Sequence, residues 1–117
     1  MAYDFTERRQ HPRIEVVKAI FIEVVSRGGD NPVLRCETVD ISVGGLKLLV
    51  PEVIPEGSQL NLAVPMEDWK ENLELVGEAK WCRPTDTGDA YWVGLELKDT
   101  TRDNMERWCK VVHQLAP

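Results

Sequence analysis

The sequence has few cysteines and no long apolar segment. Its three cysteines, Cys36, Cys82 and Cys109, are widely spaced and form no CxxC pair. This spacing argues against a zinc knuckle and a disulfide framework, so we expect reduced, structural thiols. No segment approaches the roughly 18 consecutive apolar residues that span a bilayer, and the charged N-terminus lacks the apolar stretch of a signal peptide. We therefore expect a cytoplasmic protein that does not insert into membranes.

An excess of basic residues is also lacking. The chain has 14 Lys and Arg against 20 Asp and Glu, which gives a net charge of -6. Proteins that bind the backbone of DNA or RNA usually show the opposite balance. We therefore expect no general affinity for DNA or RNA, which argues against an RNA-binding small barrel, and any anionic ligand must be held by a local group of cations.

Catalytic and metal-binding patterns are not visible in the sequence. No Ser-His-Asp or Cys-His arrangement stands out, and no pair of carboxylates suggests a general acid and base. Cys109 and His113 lie four residues apart in a predicted helix, but no third or fourth metal ligand can be named. We therefore expect neither an enzyme nor a metal or cofactor site.

What the sequence does contain is a series of short apolar segments separated by turn residues, which is typical of antiparallel β-structure. A length of 117 residues, with 43% hydrophobic residues, suits one domain with one core. The predicted strands span residues 14–26, 33–40, 45–50, 58–64, 73–83 and 90–97. After these strands the apolar residues recur every three or four positions, which predicts an amphipathic helix over 100–115, with Thr100 or Thr101 as its N-cap.

These elements predict an all-β fold with a C-terminal helix, in which the strands close into a six-stranded antiparallel β-barrel. Closure removes the exposed edges that an open sheet would present. Trp81 and Trp108 fall on predicted apolar faces, so we expect them in the core or under the helix. Trp69 and Trp92 have no clear place in this arrangement.

Three arginines lie in the segment RRQHPR, residues 8–13. Pro12 disfavours a helix, so we interpret the segment as an extended arm that leads into the first strand. Guanidinium groups bind phosphate or the O6/N7 edge of guanine through two parallel hydrogen bonds, which suits a guanine nucleotide. An isolated RxxxR is more often solvated surface charge, so a second motif is needed.

That second motif is the segment DISVGG, residues 40–45, between two predicted strands. An Asp can accept hydrogen bonds from the N1 and N2 donors of guanine, and a Ser hydroxyl can bond to phosphate or carbonyl oxygen. Glycine lets the backbone approach a ligand closely. Taken alone, the segment is more often a simple turn, because Asp, Ser and Gly are common turn residues.

Together, the two motifs resemble the signatures of the PilZ domain family of bacterial cyclic di-GMP receptors, which carry RxxxR in an N-terminal arm and D/NxSxxG on a barrel. The likeness spans nearly the whole chain, with mild departures at Ala79 and Leu97 that concern packing. The matching or adjacent positions are Arg8, Arg9, Arg13, Asp40, Ser42, Gly44 and Gly45.

The resemblance implies a single domain over residues 1–117 with a six-stranded antiparallel barrel of the split-barrel type and a C-terminal helix. The arm would cover 1–13, the barrel 14–97 and the helix 100–115. As a function it implies a cyclic di-GMP receptor that signals to an unidentified protein partner, with motility or exopolysaccharide regulation as possibilities for the family. The alternative is a nucleotide-independent adaptor of the same fold.

The resemblance also implies roles for individual residues. Arg9 and Arg13 would bind phosphate and the Hoogsteen edge of guanine, and Asp40 would bind its Watson–Crick edge. Ser42 and Gly45 would form the floor of the site. Arg8 would stack on a second, intercalated ligand molecule, since members of the family bind cyclic di-GMP as a monomer or a dimer.

The arm must reach Asp40 for these roles to be compatible. If residues 14–26 and 33–40 form a hairpin with its turn at Gly29 and Asp30, Asp40 pairs near Ala19, about 20 Å from Arg13. Either the arm folds back or the strand register differs. We expect an arm of mutually repelling arginines to be flexible when empty and to become ordered when phosphates arrive.

Overall fold

The computed structural model of the chain describes residues 14–15, 18–25, 31–66 and 72–115. The described residues form seven β-strands followed by one α-helix. The strands are β1 (Ile14–Glu15), β2 (Ala19–Val24), β3 (Val33–Ser42), β4 (Gly45–Val50), β5 (Gln59–Val64), β6 (Leu73–Pro84) and β7 (Tyr91–Leu97), and the helix α1 spans Arg102–Leu115. The element types and their order agree with those that the sequence predicts.

Six of the described strands close into an antiparallel barrel. Around the barrel the order is β2, β5, β6, β7, β4 and β3, and β3 pairs back with β2. The short strand β1 also pairs with β3, beyond the residues of β3 that pair with β2. The predicted six-stranded antiparallel barrel with a C-terminal helix is therefore confirmed, although the first predicted strand, 14–26, is divided into β1 and β2.

The division of the first predicted strand coincides with an irregular pairing on β3. Glu15 pairs with Asp40 and Ala19 with Glu37, so four steps along the first segment match only three along β3. The pairing of β3 with β4 shifts at the same place, between Thr38 and Asp40. Bulges of this kind bend a strand and change the direction of its side chains, and they are frequent next to functional sites.

This register corrects the predicted pairing of Asp40. Asp40 does not pair near Ala19, because its partner is Glu15, and Ile14 pairs with Ile41. The sequence leaves two alternatives open, an arm that folds back or a strand register that differs from the simple hairpin. The register differs, and it alone brings the start of β1 beside the end of β3.

Alternating aliphatic side chains fill the interior of the barrel. The predicted inward positions of β5 and the first half of β6 are confirmed, since the aliphatic residues at those positions are buried. Those residues are Leu60, Leu62, Val64, Leu73 and Leu75. Cys36 is also buried, which raises the pKa of its thiol to about 12, and the three cysteines, all described, form no disulfide bonds. Among the described residues, the buried ones are thus mainly apolar, and the only buried polar residues are the uncharged Thr38 and Ser42.

Trp81 does not lie in this core, contrary to the prediction from its position in the strand. The pairing of β6 with β7 shifts between Ala79 and Trp81. Ala79 is fully buried and Cys82 packs against the core, whereas Trp81 is only half-buried. The shift inserts one extra residue and reverses the alternation, so Trp81 lies on the outer face.

The helix α1 packs its apolar face, which includes Trp108, Val111 and Val112, against the barrel core. Thr101 caps the helix, because its hydroxyl accepts a hydrogen bond of 3.2 Å from the Asn104 N–H. The predicted placement of Trp108 is therefore confirmed. Among the described residues, none forms a helix long and apolar enough to cross a membrane.

Candidate functional site

The hairpin between β3 and β4 holds the second sequence motif. Ser42 and Gly45 pair at the end of the two strands, and the Ser42 hydroxyl donates a hydrogen bond of 3.3 Å to the Gly45 carbonyl oxygen. The Gly44 carbonyl oxygen accepts a bond of 2.9 Å from the Leu97 N–H. These contacts hold the turn in a fixed position against β7, so Ser42 and Gly44 have a structural role whatever else they contact.

Gly45 is required by a close approach between two strands. It has no positive φ, since among the described glycines only Gly57 and Gly88 do. A Cβ atom at residue 45 would instead overlap the backbone carbonyl of Leu95 on the neighbouring strand. The glycine therefore allows the hairpin to lie close to β7, which is a different reason from the backbone freedom usually expected of Gly-Gly.

The hairpin is also attached to the helix. The indole N–H of Trp108 donates a hydrogen bond of 2.9 Å to the Ser42 carbonyl oxygen, and the bond is buried. Because this carbonyl is at the end of β3, two residues from Asp40, the position of the helix and that of the motif depend on each other.

A row of residues crosses the outer face of the barrel from Asp40. Asp40 pairs with Lys47 on β4, Lys47 pairs with Gly94 on β7, and Gly94 pairs with Trp81 on β6. Lys47 lies between the buried residues Leu46 and Leu48, so this row faces outward. Three strand spacings separate its ends, which is about 14 Å.

Gly94 has no side chain, so it leaves space on the outer face for the ring of Trp81. A Cβ atom at this position would overlap the indole ring of Trp81, so the ring of Trp81 covers the backbone of Gly94. The ring therefore extends across β7 toward Lys47 and presents an aromatic surface on the outer face of the barrel.

Two cations lie on aromatic rings in this region. The Nζ atom of Lys47 is 6.0 Å from the centroid of Trp81 and 5.2 Å from that of Trp92. The guanidinium carbon of Arg83 is 5.5 Å from the Trp81 centroid. Within the described part of the chain, neither Lys47 nor Arg83 forms an ion pair with a carboxylate. Both cations can therefore interact with a bound anion without breaking an ion pair.

Neighbouring cations on the barrel are arranged differently. Lys80 and Lys98 both bond to Glu78, at 2.9 and 3.3 Å, and these hydrogen bonds lower the pKa of the Glu78 carboxyl. Lys80 also lies 3.6 Å from Glu96. This charge network is internally compensated, so it is a weaker candidate for an anion site than Lys47 and Arg83.

The structure therefore places part of the predicted site. Asp40, Ser42, Gly44 and Gly45 come together at one hairpin, whereas the predicted arginines Arg8, Arg9 and Arg13 lie outside the described residues. The chain enters the described structure at Ile14, opposite Ile41, and one peptide bond joins Ile14 to Arg13.

Sequence reasoning missed the aromatic and cationic part of the region. Lys47 had a visible signal, because a single charged residue between Leu46 and Leu48 faces away from the core. Trp81 was assigned to the core because the irregular pairing in β6 has no signature in the hydrophobic pattern. As for metals, the described residues contain no group of three or more His, Cys, Asp or Glu that could bind an ion.

Comparison with known proteins identifies the family. The family model of the PilZ domain matches residues 7–110, which is most of the chain, so the chain belongs to the PilZ domain family. The resemblance seen in the sequence is confirmed. A search of curated proteins found no match.

Solved structures with this fold include three proteins from different bacteria. The inhibitor of motility MotI/DgrA of Bacillus subtilis superposes with a TM-score of 0.70 at 14% identity, over 92% of this chain and 50% of that one. The PilZ domain of YcgR from Escherichia coli, solved with c-di-GMP, superposes with a TM-score of 0.67 at 16% identity, over 92% of this chain and 91% of that one. The MrkH–c-di-GMP complex of K. pneumonia superposes with a TM-score of 0.68 at 17% identity, over 92% of this chain and 51% of that one. This chain thus spans about half the length of MotI/DgrA and MrkH, and the similarity concerns the fold.

Proposed function

We propose that this chain is a cytoplasmic receptor that binds cyclic di-GMP on the outer face of the barrel, at the β3–β4 hairpin. Binding orders the N-terminal arginine arm, and the ordered surface signals to a protein partner. Membership of the PilZ family supports this proposal, as do the YcgR and MrkH structures, which were solved with c-di-GMP.

The observation that carries the proposal is the register of β1. Glu15 pairs with Asp40 and Ile14 with Ile41, so the residue joined to Arg13 lies beside the second motif. Arg13 and Asp40 are 27 positions apart in the sequence. Ile14, the residue that follows Arg13, pairs with Ile41, the residue that follows Asp40, so the two motifs meet at neighbouring positions of the paired strands. Without this register, the arginines and the carboxylate would have no structural reason to share a ligand.

The proposed ligand contacts are those that the family resemblance implies, and they suit the chemistry of these groups. Arg9 and Arg13 bind phosphate and the Hoogsteen edge of one guanine, and the Asp40 carboxylate accepts from its N1 and N2 donors. Gly45 forms the floor, and Ser42 holds the floor in place through its bond to the Gly45 carbonyl oxygen. Arg8 stacks on a second ligand molecule if the ligand binds as a dimer.

We add Lys47 and Trp81 to this proposed set, because they lie in the same row on the outer face as Asp40. The Trp81 ring, half-buried on the outer face, offers a surface on which a purine can stack, and a base–aromatic stack contributes about 1–3 kcal/mol. Lys47 lies between Asp40 and Gly94 in the row, so its ammonium group can balance phosphate charge of a ligand bound at Asp40. A local group of cations explains how a protein with net negative charge can bind a dianion.

The proposal is tested by isothermal titration of cyclic di-GMP into the wild-type protein, Arg13→Ala and Asp40→Ala. We expect micromolar or tighter binding to the wild type and at least about a tenfold loss in each variant, because each removes a charge-assisted hydrogen bond. Arg102→Ala and Asp103→Ala, on the exposed face of α1, are the matched controls and should bind like the wild type.

GTP serves as the specificity control in the same titration. A folded wild-type protein that shows neither binding heat nor a shift in melting temperature at saturating cyclic di-GMP would contradict the receptor function. The remaining candidate would then be the nucleotide-independent adaptor. For the output, the motility function in the name of MotI/DgrA favours motility over exopolysaccharide export as the first process to examine.

A further inference from the structure

Trp92 lies on the same outer face, beside the row that begins at Asp40. It pairs with Leu49 on β4 and with Arg83 on β6, and it is two residues along β7 from Gly94, which is about 7 Å. Its neighbour Val93 is fully buried, whereas Trp92 is half-buried. The indole of Trp92 thus belongs to the outer surface and contributes to it a second large aromatic ring.

A single cation connects the two aromatic rings. Lys47 lies within cation–π distance of both Trp81 and Trp92, and the sum of its two distances limits the separation of the ring centroids to about 11 Å. The rings are therefore near enough to contact different parts of one dinucleotide-sized ligand. Half-buried indoles on an outer face, beside cations that form no ion pair with the described carboxylates, combine stacking and charge neutralisation. These are the two features that bind nucleotides without reading their sequence.

The proposed site at Asp40 uses only one of these rings. In the proposed site, Asp40 and Trp81 are assigned to one guanine base. A cyclic dinucleotide carries a second base, which either packs against the protein or stays in water. Trp92 offers an aromatic surface for that base at the next position along the barrel face, and Lys47 is shared between the two positions.

We propose that Trp92, together with Lys47, forms a second base-binding subsite that stacks on a guanine other than the one bound by Asp40. This inference rests on the proposed function. The guanine at this subsite comes either from the other half of the same cyclic di-GMP or from a second molecule. In both cases the subsite recognises the flat face of a purine and does not read its hydrogen-bonding edge.

The test is a calorimetric titration of cyclic di-GMP into the wild type, Trp92→Leu and Trp92→Phe. Loss of the ring in Trp92→Leu should weaken binding about 5- to 100-fold, which is the range of a base–aromatic stack. Trp92→Phe keeps an aromatic ring and should stay within about threefold of the wild type. The matched control is Phe21→Leu, which removes another exposed aromatic residue, 40% exposed, on β2, and it should have no effect.

The stoichiometry identifies the source of the second guanine. If it belongs to the same ligand molecule, Trp92→Leu lowers the affinity at an unchanged molar ratio. If it belongs to a second molecule, the ratio falls from two to one and the affinity of the first molecule is retained. Either result supports the subsite.

Two results would overturn the inference, and they are distinguishable. Wild-type binding that Trp92→Leu leaves unchanged in affinity and ratio removes the subsite but not the receptor function. Absence of binding to the folded wild type removes both. Melting temperatures are measured for every variant, and Trp92→Met, whose flexible side chain fills the space without a ring, replaces Trp92→Leu if that variant does not fold.

Discussion

Gly45 and Gly94 show how two glycines on one barrel face serve different purposes. A Cβ atom at Gly45 would overlap a backbone carbonyl, which cannot move without disturbing β7, whereas at Gly94 it would overlap the side chain of Trp81. An indole that is half-buried can turn away from a new methyl group. The first glycine therefore supports the fold, and the second supports the position of an aromatic ring.

This difference predicts unequal losses of stability. Gly45→Ala should lower the free energy of unfolding by about 1–3 kcal/mol, since the two strands must move apart. Gly94→Ala should cost less, because only the Trp81 ring is displaced. Urea unfolding of both variants measures the difference. Equal midpoints for Gly45→Ala and the wild type would contradict the close approach of β4 and β7.

At the scale of elements, the contact between α1 and the β3–β4 hairpin depends on one buried hydrogen bond. Trp108→Phe removes the indole donor and leaves the Ser42 carbonyl oxygen without this partner. We expect a loss of about 1–3 kcal/mol in the free energy of unfolding, the usual cost of an unsatisfied buried acceptor.

Chemical denaturation of Trp108→Phe measures this loss, with Cys109→Ala as the control. Cys109 is the next residue of α1 and is half-buried, so its truncation should cost less. If Trp108→Phe were as stable as the wild type, the hydrogen bond would not be what holds the helix to the hairpin.

The elements also show what the sequence could and could not predict. Strands and helix were predictable because each has a regular spacing of apolar residues, as in Leu60, Leu62 and Val64. The outward position of Trp81 and the pairing of Glu15 with Asp40 were not, because both depend on extra residues inserted in a strand pair. Such shifts are set by contacts between distant segments and leave the local hydrophobic pattern unchanged.

The same distinction applies to the candidate site. Asp40, Ser42, Gly44 and Gly45 could be named in advance because they form a contiguous motif. Lys47, Trp81 and Trp92 come from three different strands, and only the cross-strand register brings them together. When a site is assembled from several strands, the sequence therefore predicts only those of its residues that belong to a contiguous motif.

For the whole molecule, the proposed response to ligand is an ordering of the arm over the barrel face. Hydrogen exchange should therefore show stronger protection of backbone amides within the arm, residues 1–13, when cyclic di-GMP is bound. The core strands, whose pairing does not change, should exchange at the same rate in both states.

Asp40→Ala at the same ligand concentration is the control for this exchange experiment, and its arm should keep the exchange rate of the ligand-free protein. If ligand binds to the wild type but leaves exchange in the arm unchanged, the arm does not carry the signal. The receptor function would survive that result, and the search for the output would turn to α1.

The closed ring of strands restricts how any partner recognises this protein. Each of the six ring strands, all within the described residues, is paired on both sides, so a partner cannot bind by adding a strand of its own to the ring. Along the ring, recognition by a partner then depends on side chains of the outer face. Specificity for a partner can therefore diverge by single substitutions on that face, while the hydrogen-bonded framework beneath it stays the same.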